Sequence, residues 1–192
     1  MDARGINFTS QIRVVIDDMI ARLPELQHID LNRVAIAFAQ ARNRSRYGTH
    51  ATLTPMRFLD GSLTMQQGRR TYTVQRIYDD RGAELLYILT LYLPRFMDVD
   101  FHEKLVTLLH ELWHINPEFN GDIRRHAGRC YAHTHSQKEY DARMEILANR
   151  WLATQPRDEL LNFLKLNFSE LSKAYGSVFG TRLPTPKLIA VA

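Results

Sequence analysis

Leu108-Leu109-His110-Glu111-Leu112-Trp113-His114-Ile115 is the stretch on which the rest of the chain depends. It reads His-Glu-x-x-His inside an apolar, helix-favouring run. On a helix, side chains four residues apart lie one above the other on the same face. His110 and His114 can then both face one ion, with Glu111 beside it. Two imidazoles that bind Zn²⁺ and a carboxylate that takes a proton from water are the working parts of a metal-assisted hydrolytic site. The flanks favour a helix from about Asp100 to Ile115. Asp100 is a good N-cap, and Glu103 follows at capping-box spacing. Phe101, Leu105, Leu108, Leu109 and Leu112 form an apolar stripe, and Asn116-Pro117 stops the helix just past the second histidine.

Working outward, the sequence predicts an α+β domain with a small mixed β-sheet, an N-terminal helix, the motif helix and C-terminal helices. Ile12, Val15, Ile16, Met19, Ile20 and Leu23 share one helical face, capped by Thr9 or Ser10 and ended by Pro24. Strands are expected over 33–41, 51–59, 70–78 and 85–93, with Asp60-Gly61 as a hairpin-type turn. Arg42 to Arg46 is a short basic cluster in a loop. After the motif helix comes a loop from Asn116 to His135. Ser136 and Glu139 then open a helix carrying Tyr140, Met144, Leu147, Ala148, Trp151 and Leu152, interrupted at Pro156. Leu161, Leu164, Phe168, Leu171 and Tyr175 fall in register on a last helix ending near Gly176 or Gly180. The domain spans 1–182, and 183–192 is an extended tail.

Bulk properties narrow the function. The 192 residues, 45% hydrophobic and 24% charged, suit one ordinary globular domain. Cys130 is the single cysteine, which excludes an internal disulfide and favours a reducing compartment. Met1-Asp2-Ala3-Arg4-Gly5 shows no signal-peptide pattern, and the apolar run Leu85 to Leu93 is too short to span a bilayer. A cytoplasmic protein without a membrane partner is expected. The formal charge of +4 is scattered, so contact with nucleic acid is only weakly supported.

Catalytic zinc takes three protein ligands and leaves one position for water. The third must come from outside the motif. His126, His133, His135, Glu139 and Glu145 are the downstream candidates. His133 is favoured because it lies in the short segment leading into the next helix, which can pack on the motif helix and still reach the metal. Asp122 and Asp141 are candidates to orient the imidazoles. Tyr131 and Tyr140 are candidates to donate to a developing oxyanion. Cys130 is expected to be packing.

His110-Glu111-Leu112-Trp113-His114-Ile115-Asn116-Pro117, with Phe119-Asn120-Gly121-Asp122 and Arg124-Arg125, resembles phage and bacterial metallopeptidases related in layout to SprT-like zinc proteases. The resemblance covers Asp30 to Leu152 and is most specific from Leu108 to Asp141. It implies a minimal zincin acting on a protein or peptide, with a third histidine ahead of the next helix. In SprT-like proteins that histidine is followed by glycine and then an aromatic residue. Here His133-Thr134 with Tyr140, and His126-Ala127 with Tyr131, match that pattern about equally. SprT-like proteases often act on DNA-bound proteins, but this chain shows no zinc ribbon or separate DNA-binding module. Two other readings stand beside the peptidase: a metal-stabilised binding or regulatory module of phage origin, and a nucleic-acid-associated protease.

Overall fold

The computed structural model describes residues 5–41, 48–125 and 137–191, with backbone alone for 137–141. At the centre lies the strand β6, Tyr87–Leu93, buried along nearly its whole length. Its run, apolar except for Thr90, suits a strand covered on both faces. β2, Val34–Gln40, pairs with it in parallel from Val34↔Tyr87 to Gln40↔Leu93. β3, Ala51–Pro55, pairs antiparallel from Ala51↔Leu91 to Pro55↔Tyr87. The order β2-β6-β3 makes a mixed sheet with β3 at one edge. The domain is α+β, as its sequence predicts.

One face of this sheet carries Val34, Ile36, Phe38, Leu89 and Leu91 into the main core, together with the helices. α1, Phe8–Arg22, buries Phe8, Ile12, Val15, Ile16 and Met19 there. Its cap is Asn7, whose side chain accepts from Ser10 N–H at 3.1 Å, and not Thr9 or Ser10. A two-residue strand, β1 (Ile6–Asn7), leads straight into the helix, so the start falls earlier than the apolar stripe indicates. α2, Phe101–Trp113, is the motif helix, and α3, Gln137–Ala153, packs against it with Met144, Leu147, Ala148 and Trp151 buried. Ser136 lies outside the described residues, and with it the expected capping box.

The predicted last helix is two helices. α4, Asp158–Leu161, stops, and α5, Phe168–Tyr175, begins afresh behind a complete Asn167–Glu170 capping box. The apolar period runs through the break because the intervening turns also bury Phe163 and Leu164.

Asp60-Gly61 is not a hairpin turn. It lies in a 3₁₀ turn, Leu59–Gly61, and joins β3 to a strand of another sheet. That strand, β4 (Thr64–Gln67), pairs with β5 (Arg70–Val74) around Gly68-Arg69, with Gly68 at φ 62°. This two-residue loop is the true hairpin. The tail crosses the far face of the central sheet, where Leu183 packs against Ala37, Met56 and Ile88. β7, Val178–Phe179, pairs with β1, and β8, Leu188–Val191, pairs with β5. No helix among the described residues is long and apolar enough to cross a membrane.

Candidate metal centre

Asp100 opens α2 by accepting from Glu103 N–H at 2.8 Å. Leu105, Leu108, Leu109 and Leu112 are fully buried and fix the rotation of the helix. That rotation turns His110, Glu111 and His114 toward the edge strand β3. The two imidazole rings lie with centroids 4.8 Å apart and planes at 77°. Two histidines at Zn–N distances of about 2.0–2.1 Å and a near-tetrahedral angle have ring centres about 5 Å apart. The separation of the pair matches that of two corners of a zinc site.

α2 is shorter than its sequence signals indicate. It ends at Trp113, and His114 is its C-cap, with φ −68° and ψ −15°. The second histidine thus sits where a helix normally frays. The chain returns to support it. Arg124 N–H donates to His114 O at 2.7 Å, Arg124 Nε–H donates to Trp113 O at 2.8 Å, and Ile115 bridges Ile123. The Arg124 guanidinium lies 4.1 Å from the centroid of the Trp113 ring, and Arg143 of α3 lies 4.5 Å from it. These contacts tie the return segment and α3 to the end of the motif helix.

The return segment is anchored from β6. Tyr87 is fully buried. Its hydroxyl accepts from Gly121 N–H at 3.0 Å and donates to Asp122 O at 2.8 Å. Burial pushes the phenol up to about 12, partly opposed by the Gly121 N–H. Asp122, itself buried, accepts from Asp60 N–H and Ile123 N–H and takes both ends of the Arg125 guanidinium. Among the described residues its carboxylate therefore holds the loop. Tyr87 is hidden in an apolar run, and the Arg124-Arg125 pair gives no sign in sequence that Arg124 braces the end of α2 through both its backbone and its guanidinium.

The motif side chains share a cavity of about 360 Å³ with Thr52, Leu53, Pro55 and Ile123. Burial in it pushes the Glu111 carboxyl up to about 7, with a backbone hydrogen bond from Leu53 pulling the other way. A carboxyl held near neutrality is suited to exchange a proton with water.

Among the described residues no group of three His, Cys, Asp or Glu side chains is arranged to hold a metal. His126, Cys130, Tyr131, His133 and His135 all lie in 126–136, outside the described residues, as do the side chains of Glu139, Tyr140 and Asp141. Glu145 is placed elsewhere: its carboxylate meets His102 Nε2 at 2.5 Å. His102 lies about 12 Å before His110 along α2. Compared with family models, curated proteins and solved structures, the chain matches none.

Proposed function

We propose that the protein is a zinc-dependent metallopeptidase. The observation that carries this reading is the juxtaposition of His110 and His114, side by side on α2, with Glu111 in a cavity bounded by β3. His110, His114 and His133 would hold Zn²⁺, with His126, His135 and Glu139 as alternates for the third position. The bound ion supplies Lewis acidity, which acidifies a water and polarises a carbonyl. Glu111 accepts the proton of the attacking water and passes it to the leaving amine. Burial raises the proton affinity of this carboxyl, and a cation bound beside it would lower it.

The substrate is a protein or peptide in extended form. The hydrogen bonds Tyr92 N–H to His50 O and Met56 N–H to Leu86 O place positions 50 and 56 in register with β6. By alternation the backbone groups of Ala51 and Leu53 then point away from β6: the Leu53 N–H bonds Glu111, and the Leu53 carbonyl and the Ala51 groups are those a strand-adding peptide would use. Pro55, which lacks an N–H, is placed as prolines on edge strands usually are.

Elemental analysis and proteolysis test the reading together. The wild type is expected to carry about one zinc per chain and to cleave an unstructured protein. His110→Ala or His114→Ala removes the metal, and Glu111→Gln keeps the metal but loses cleavage. Zinc-free wild-type protein would sink the metal site. Zinc-loaded protein whose turnover survives Glu111→Gln would sink the mechanism.

A further inference from the structure

The lining of the cavity at the motif is of two kinds. His110, Glu111 and His114 carry the titratable groups. The rest is Thr52 with the apolar Leu53, Pro55 and Ile123. Ile123 is held there more firmly than a loop residue ordinarily is. Its N–H donates to Asp122 Oδ1 at 2.8 Å, its backbone bridges Ile115, and Arg124 beside it is bonded to His114 O. The bend that delivers it is also fixed. Gly121 has φ +90°, and a Cβ there would lie 2.5 Å from the Arg57 side chain, so a side chain is excluded. Arg57 N–H donates to Gly121 O at 3.0 Å, which makes this bend a continuation of the β3 edge.

We propose that Ile123 sets the specificity of the site. With Leu53 and Pro55 it forms a subsite for an aliphatic side chain of a polypeptide laid along β3. The proposal rests on the peptidase reading for its occupant. The chemistry of the lining selects the class. Among the described residues the titratable groups of the lining are the three motif side chains, which are committed to metal and proton transfer. An acidic or basic side chain entering here loses water, and Leu53, Pro55 and Ile123 offer it no counter-charge. An aliphatic one exchanges water for the Ile123 wall, which discriminates leucine from alanine by about 10-fold or more.

Binding tests this without relying on turnover. A set of unstructured nonapeptides, identical except for Ala, Leu, Lys or Glu at the centre, is titrated against zinc-loaded Glu111→Gln protein. Leu should bind about 10-fold tighter than Ala, and tighter still than Lys or Glu. Adding Ile123→Ala should reduce the Leu preference, and adding Ile123→Asp should move it toward Lys. If Ile123→Asp does not fold, the smaller Ile123→Ala change still decides. Equal affinities across the set, a preference untouched at Ile123, or no binding at all would overturn the subsite. The peptidase reading fails differently: wild type that binds the leucine peptide but cleaves none of the set leaves the subsite standing. Wild type that cleaves all four equally leaves only the peptidase.

Discussion

Tyr87 supports the second histidine of the motif from the strand below it. Its hydroxyl pairs with Gly121 N–H and Asp122 O, and the segment so fixed ends in the Arg124 N–H that holds His114 O. Tyr87→Phe leaves those two buried backbone groups unpaired, at a cost of about 1–3 kcal/mol. It should also weaken zinc binding about 10-fold, the lower range for groups that orient a ligand without touching the metal. Ile16→Val, on α1, is the control. It costs about 1 kcal/mol and should leave zinc affinity alone. Competition titrations with a chelator measure both, and equal affinity in wild type and Tyr87→Phe would mean that His114 is held without this loop. The contrast with the motif explains what could be read from sequence at this scale. His110, Glu111 and His114 are legible because a four-residue spacing is a local property of a helix. Arg125 lies only three residues from Asp122, but Asp60 reaches it from 62 residues away, which no local spacing encodes.

Among the elements, α1, β2, β6 and α2 declare themselves through long apolar periods. β4 does not, because Thr64-Met65-Gln66-Gln67 is mostly polar and its strand lies in a solvated sheet. The break between α4 and α5 is hidden for another reason. Lys104, in the first turn of α2 and 1% exposed, donates through Nζ to Leu164 O and Leu166 O, each at 2.8 Å. It satisfies the carbonyls that an unbroken helix would have bonded internally. Burial pulls its ammonium below the usual lysine range, while Asp98, Asp100 and Glu170 pull it back. A charged residue within an apolar stripe is read as solvated by default, so this partnership could not be anticipated. Lys104→Met keeps the bulk of the side chain and removes both donors. It should destabilise the metal-free protein by about 2–4 kcal/mol in urea unfolding. A loss below about 0.5 kcal/mol would show that water replaces the ammonium.

At the scale of the molecule, the question is how the outer sheet β4-β5-β8 stays on the central one. The tail contributes through β8 and Leu183, and a single carboxylate contributes at the other end. Glu84 Oε1 accepts from Arg57, just past β3, at 2.6 Å and from Arg76, just past β5, also at 2.6 Å. Its Oε2 accepts from Arg76 at 2.9 Å, and its backbone carbonyl accepts from Arg33, just ahead of β2, at 3.1 Å. The Arg76 hydrogen bonds, then those of Arg57, hold this carboxyl down to about 2 against the opposing effect of burial. The unfolded chain protonates Glu84 near the usual 4.3, whereas the native protein does not until about pH 2. Between those values the unfolded state binds more protons, so stability rises with pH across the window and is lost as pH falls through it. Half of Arg76 is exposed, so solvent screening reduces the contribution to about 1–2 kcal/mol. Urea midpoints measured from pH 5 down to pH 2 should fall more steeply for wild type than for Glu84→Gln. The variant, which lacks the titrating group, should already be the less stable of the two at pH 5. Parallel pH profiles would mean that the outer sheet is held by β8 and Leu183 without help from this ion pair.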